Sequence, residues 1–387
     1  ITPADVITEV DEPIVLSRRD LAAIAATFLL IGMVASAYGP LLMLLANRFE
    51  VSLPIAGGVL SSHFAGALVG VLASIWAMER LQNRHLVVAA LAFLALGCVL
   101  VALAPAWPVL LGAIFFVGVG FGALDIGLNQ IVAHSHGGRR AVVLTMLNGS
   151  FGLGAVLGPI LVSILGRHHF ALLYAGGAVL AVALIPRGLR IPGHMPAVSS
   201  PHTSRPPWLI PIFILAFGLY VGTETGVGGW STSHLEFVGL APATAAAFTS
   251  AFWLALAIGR LLVGLVPARV PEPVIVITAS VLGALALLAA AFGRPAPIAY
   301  VATGLAIAPI FPTAVVWMAR RLPGDARATS WLFPGAMVGG ALVPAVIGLV
   351  IARIGLGGAP VVLSAAAFGT FVTFLVARRV SSAPPIP

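Results

Sequence analysis

The sequence predicts an all-α polytopic membrane protein, with twelve transmembrane helices arranged as two pseudo-symmetric six-helix bundles. Three observations carry that reading. Of the 387 residues, 60% are hydrophobic and 8% charged, and the mean hydropathy is +1.10, whereas soluble domains are about a quarter charged. Twelve apolar stretches each supply the ~20 residues that a bilayer core requires. Landmarks of the first six stretches return in the last six at a near-constant offset.

Taken in order, the spans run at 21–47, 54–78, 84–104, 106–133, 141–165, 169–187, 208–233, 242–266, 272–293, 296–319, 328–354 and 358–377. Residues 1–20 precede them as a cytoplasmic lead-in, in which Asp5, Glu9, Asp11 and Glu12 have the wrong sign for the start of a signal peptide. Orientation follows from the arginines, because cytoplasmic loops carry the positive excess. Sixteen of the twenty fall on one side, among them Arg18, Arg19, Arg80, Arg84, Arg139, Arg140, Arg205, Arg320, Arg321 and Arg327. Arg48, Arg167, Arg294 and Arg353 fall on the other. Both termini are therefore expected in the cytoplasm, for an integral protein of a bacterial inner membrane.

The longest polar break, 188–207, is rich in Pro and Ser and reads as a flexible cytoplasmic linker. It separates an N-terminal bundle, 21–187, from a C-terminal bundle, 208–378, which a tail at 379–387 follows. Pro54 and Ser62 return as Pro242 and Ser250, and Arg140-Ala141 with Gly152 returns as Arg327-Ala328 with Gly339. Offsets of 188 and 187 between these residues are what parallel six-helix repeats predict.

Several function classes fall away. The pI of about 11.1 invites a nucleic-acid partner, but the arginines sit in short segments between apolar runs, where membrane topology accounts for them. The chain contains no lysine, so it has no phosphate-binding glycine loop closed by lysine and no sign of an ATP-driven pump. Cys98 stands alone in an apolar run, which rules out an intrachain disulfide. His134, His136, His168 and His169 lie near span ends without carboxylates at metal spacing. No nucleophile, base and orienter come together as a hydrolase requires. The expectation is a non-enzymatic protein without cofactor or metal, a monomer whose partners are the lipid bilayer and a small solute.

Parallel repeats place a binding site near the midplane between the two bundles. A charge at that depth costs from ~3 to over 10 kcal/mol, so embedded polar residues are functional candidates. Within Gly120–Asn129, Asp125 and Asn129 share a helix face at i and i+4. Asp125 is the candidate to load and release a proton, and Asn129 can both donate to and accept from a polyhydroxylated ligand. Asn148, in the next span, is a further ligand candidate. Glu224 lies in the glycine-rich stretch Tyr220–Trp230, whose weak helix suits a gate or an unwound binding segment; it is a candidate for proton coupling and for substrate binding. Tyr220 and Trp230 combine apolar faces with polar tips, fit for sugar C–H surfaces or for the interface. His63, in the second span, is read either as a titratable binding residue or as a packing residue. At the cytoplasmic ends, Glu79, Arg80 and Arg84, and Gly259-Arg260 with Gly264 and Arg269, are read as gating contacts or as topology signals.

With these residues in hand, the chain resembles the major facilitator superfamily in span number, orientation, linker and repeats. Glu79-Arg80-Leu81-Gln82-Asn83-Arg84 is similar to that superfamily's loop motif after the second span, although Ile75 stands where its glycine is expected. A narrower resemblance is to the fucose/glucose/galactose-proton symporter family. It rests on Gly120-x-Gly-x-Leu-Asp125-x-x-x-Asn129 in the fourth span, Asn148-x-Ser-Phe-Gly152 in the fifth, Tyr220-Val-Gly-x-Glu224 with Trp230 in the seventh, Gly259-Arg260 in the eighth and Phe311-Pro312-Thr313 in the tenth. The resemblance implies a sugar carrier in which the acid at Asp125 takes part in proton coupling. The chain departs from it in the first span, which has no Asp or Glu where well-known members carry a second acid. Coupling then rests on Asp125 alone, is shared with Glu224, or is lost. The alternative function is an exporter of amphipathic or drug-like compounds, to which a first span poor in polar residues is also suited.

Overall fold

The computed structural model describes residues 15–135, 140–166, 169–194, 208–263, 269–322 and 330–382. Most of the expected linker lies outside them, as do Arg139, Arg167, Arg205, Arg327, His136, His168 and Gly264. Twelve helical stretches among the described residues are long and apolar enough to cross a membrane.

Ser17 opens the first span with a capping box: its backbone N–H donates to Asp20 Oδ2 at 2.9 Å, and its Oγ accepts from the Asp20 N–H at 3.2 Å. Helix α1 (Arg18–Ser36) then breaks at Ala37 and resumes as α2 (Tyr38–Arg48). Pro40 explains the break, since it has no N–H to return to Ser36 and its ring crowds that carbonyl. One turn, α3 (Leu53–Ala56), leads into α4 (Gly58–Met78). The first half continues with α5 (Asn83–Leu103), α6 (Trp107–Ala133), α7 (Arg140–Leu165) and α8 (Phe170–Gly188). The second half holds α9 (Leu209–Phe237), α10 (Pro242–Leu262), α11 (Glu272–Ala290), α12 (Ala296–Ile307), α13 (Ile310–Arg321), α14 (Leu332–Ile354) and α15 (Ala359–Ser382). Helices α12 and α13 form one span broken at Ala308-Pro309, where Pro309 and Pro312 again remove donors. Helix α9 extends four residues past its expected end because Thr232, Ser233, His234 and Leu235 are buried in the protein rather than lying in a loop.

The packing repeats. In the first half α4 lies on α6, α1 on α7, and α5 on both α6 and α8; six spans later α10 lies on α12, α9 on α14, and α11 on both α12 and α15. The contacts between halves obey the same relation, since α4 meets α14, α10 meets α7, and α2 meets α9. Glycines set the closest approaches. Gly66 and Gly70 of α4 face the carbonyls of Phe115 and Val119, while Gly118 and Gly122 of α6 face those of His63 and Ala67. A methyl group at any of the four would strike backbone, so this interdigitated small-xxx-small seam fixes the register of α6 and with it Asp125. Outward faces carry Leu96, Leu153, Val179, Leu285 and Leu349, the apolar exterior a bilayer demands.

Candidate functional site

The side of the membrane at which α1 begins is called near, and the opposite side far. Helix α6 runs from far to near and carries the polar set of the first half. Asn129 Nδ2 donates to the Asp125 carbonyl at 2.9 Å and to its carboxylate Oδ1 at 3.2 Å. Asn148 of α7 donates in turn to Asn129 Oδ1 at 3.4 Å, and to the Leu144 carbonyl at 2.9 Å. Three polar side chains from two helices thus form one chain of hydrogen bonds, with each still half-buried rather than sealed.

The second half answers with a charged triad. Tyr220 and Glu224 lie one turn apart on α9, and the Tyr220 hydroxyl donates to Glu224 Oε2 at 2.5 Å. Arg260, in the last turn of α10, reaches back so that one terminal nitrogen donates to Glu224 Oε2 at 2.8 Å and to the Tyr220 hydroxyl at 3.0 Å. Asp125 lies within electrostatic range of both Arg260 and Glu224 across the boundary between the halves. Ala257, one turn before Arg260, packs on Gly152, one turn beyond Asn148, so α7 and α10 meet beside the polar residues of both halves. The arrangement sets a carboxylate of one bundle within electrostatic range of a cation paired with a carboxylate of the other, beside amides that can bind hydroxyl groups.

The far part of the boundary is built differently. Gly39 of α2 meets the backbone of Gly228, Leu60 packs on Gly229, Phe64 packs on Gly340 of α14, and the Ser61 hydroxyl donates to the Ala341 carbonyl at 2.9 Å. Trp230, fully buried, plugs a socket formed by Gly57 and Pro54 of the first half and Gly348 of the second.

Several expected site residues are therefore placed elsewhere. Trp230 belongs to the far closure and not to the polar cluster, because α9 turns it toward Gly57 two turns beyond Glu224. His63 is buried inside the first half, where its Nδ1 lies 3.2 Å from the Tyr38 hydroxyl and its ring packs against Phe64 and Phe121. Arg260, read from sequence as an end-of-span gating contact, is instead the partner of Glu224. Arg80 lies over the Trp76 ring and donates to the Trp76 carbonyl at 2.8 Å. No ion pair among the described residues joins it or Arg84 to Glu79. Arg269 is exposed. Gln130, which the sequence reading passed over, lies 3.4 Å from Ser330 Oγ across the near boundary; its position beside Asn129 was the available signal. Trp253 was also passed over, although it stands seven residues before Arg260 on the same helix face.

Residues 24–300 match the Major Facilitator Superfamily. The chain belongs to that superfamily. It is a membrane transporter rather than an enzyme, and the paired bundles are the superfamily's two halves. Sodium-dependent glucose transporter 1A of Mus musculus is 24% identical over 376 residues, covering 84% of this chain and 88% of the mouse protein. The D-xylose-proton symporter structure superposes with a TM-score of 0.74 at 11% identity, over 92% of this chain and 96% of that one. FucP, a major facilitator transporter crystallised in the outward conformation, gives 0.65 at 18% identity, over 92% and 98%. Both structural likenesses show the fold alone.

Proposed function

We propose that this transporter moves a sugar or similar small polar solute by alternating access, with proton coupling through Asp125. The carrying observation is the division of one polar cluster between the two halves: Asp125, Asn129 and Asn148 on one, Tyr220, Glu224 and Arg260 on the other. Arg260 is the hinge of the scheme. Charged Asp125 draws the guanidinium across the boundary; protonated Asp125 leaves it with Glu224. Loading a proton therefore changes the attraction between the bundles, and rocking of one bundle against the other follows the proton. Asn129 and Asn148 supply the donors and acceptors that a polyhydroxylated solute requires. The glucose named in the mouse relative and the xylose named in the structural neighbour support a sugar. Amides and buried charges suit such a solute better than an amphipathic export substrate.

The near side is read as the cytoplasm on the strength of the arginine bias, with both termini there, so the far closure faces the exterior. Residues 21–187 and 208–378 are the two moving bodies, joined by the 188–207 linker. A second coupling ion stays in view because the mouse relative is named as sodium-dependent. Uptake of labelled D-glucose, D-galactose, L-fucose and D-xylose into proteoliposomes, with a proton or a sodium gradient imposed separately, tests the reading. The expected result is accumulation driven by the proton gradient, lost in Asp125→Asn, which retains sugar exchange across equilibrated membranes. Accumulation driven by sodium alone, or proton-driven accumulation undiminished in Asp125→Asn, overturns the coupling assignment.

A further inference from the structure

We propose that Trp253 is the specificity-determining platform of the binding site, its apolar face receiving a sugar ring and its indole N–H donating to one hydroxyl of that ring. The inference rests on the carrier reading above and adds an indole face to the polar cluster. Trp253 and Arg260 lie seven residues apart on α10 and so share a face, about 10 Å apart along the axis. The Trp253 ring lies against Gly228 of α9, where a Cβ would stand 2.5 Å from its Cζ2 and 3.1 Å from its Cε2. Gly228 is one turn beyond Glu224, which places the indole just past the charged triad on its far side. Gly228 also abuts Gly39, so Trp253 stands where α2, α9 and α10 converge and both halves come together.

Two features separate Trp253 from the other buried indoles, Trp230 and Trp317, and a third makes it fit to bind. It keeps 7% exposure, whereas Trp230 keeps 0%, so part of the ring borders open space. Its face on α10 continues through Ala257, which touches Gly152 one turn beyond Asn148, and ends at Arg260. The indole Nε1, like those of Trp230 and Trp317, is buried with no hydrogen-bond partner among the described residues, and of the three it is the one on the helix face that ends at Arg260. An unmet buried donor in a native structure calls for an explanation, and a solute hydroxyl at this level supplies the missing acceptor. The proposed pose sets ring C–H groups on the indole and polar edges toward Asn129, Asn148 and Glu224.

The test uses the full-length chain in proteoliposomes, with uptake of D-glucose, D-galactose, L-fucose, D-xylose and the monodeoxyglucoses measured for wild type, Trp253→Phe and Trp253→Leu. Trp208→Phe, at an exposed position, serves as the control. Trp253→Phe retains a ring and loses the donor, so KM for the transported sugar rises about five- to tenfold with kcat within about twofold. KM for one monodeoxy analogue stays unchanged by that substitution, which identifies the hydroxyl. Trp253→Leu loses the platform as well and raises KM further. Sugar-induced thermal stabilisation of each purified variant reads binding even where transport is impaired. Wild-type KM in Trp253→Phe for every transported sugar and analogue, or a fall in kcat at constant KM, overturns the inference and leaves the carrier reading intact. Absence of transport and of stabilisation by any sugar in folded wild type overturns both.

Discussion

On the near side the two bundles confront each other through ions and amides, with Asp125, Asn129 and Asn148 against Arg260, Glu224 and Tyr220. On the far side they meet through bare backbone and fitted side chains: Gly39 on Gly228, Leu60 on Gly229, Phe64 on Gly340 and Trp230 in the Gly57 socket. The difference follows from what each region must do. A charged cluster interacts strongly and at range, and protonation alters it, so it can report solute and proton. Glycine-to-backbone contacts hold only at close fit and vanish once the surfaces part. Such a seam closes firmly yet leaves little attraction to resist opening.

The largest effect is expected where the charged region is broken from one side. Arg260→Ala leaves Glu224 buried without its cation and should cost about 3 kcal/mol of stability, near the low end for a broken buried pair, because the guanidinium keeps 23% exposure. Thermal melting of the purified variant checks this, and proton-driven accumulation should be lost. The double variant Arg260→Gln with Glu224→Gln should recover most of the stability but not the accumulation. Equal melting of wild type and Arg260→Ala would remove the ion pair from the list of forces holding this state.

A smaller effect is expected where the far region is broken by shape. Gly57→Leu fills the socket that Trp230 occupies, and overpacking of that kind costs about 1–3 kcal/mol. Here the bundles can escape the clash by parting, so the substitution should shift the conformational equilibrium more than it unfolds the protein. Ser61, bonded to Ala341 across the closure, is a suitable reporter. With Cys98 replaced by Ser, a cysteine at Ser61 should react with a membrane-impermeant maleimide about fivefold or more faster in the Gly57→Leu background. An unchanged rate would mean that this seam does not govern access.

The same contrast explains how much of the molecule was legible in the sequence. Span number and repeat follow from apolar length and from residue landmarks, which are properties of the chain read locally. Asp125 and Asn129 were legible for the same reason, since an i, i+4 pair on one helix needs no partner to be seen. Arg260 and Glu224 lie 36 residues apart on different helices, and their pairing depends on a rotation of α10 against α9 that no local spacing reports. Trp230 and Trp253 are equally aromatic and equally embedded; only the packing of Gly57 and Gly228 tells which one plugs the far closure and which one borders the cluster. His63 was ambiguous because its partner Tyr38 is set by the break at Ala37, and that break follows from Pro40.

The smallest effect is expected for charges that lie outside both regions. Glu79 and Arg84 are exposed at span ends, and Arg80 spends its guanidinium on Trp76 rather than on a carboxylate. Exposed ion pairs contribute at most about 1 kcal/mol, and here none is formed in the first place. Glu79→Gln and Arg84→Gln should therefore each leave the melting temperature unchanged and alter KM and kcat by no more than about twofold in the uptake assay. That outcome confines the electrostatic control of this state to charges enclosed between the bundles. A loss comparable to that of Arg260→Ala would mean that these residues form their contacts in the opposite conformation, in which the near side closes and brings them face to face with the second half.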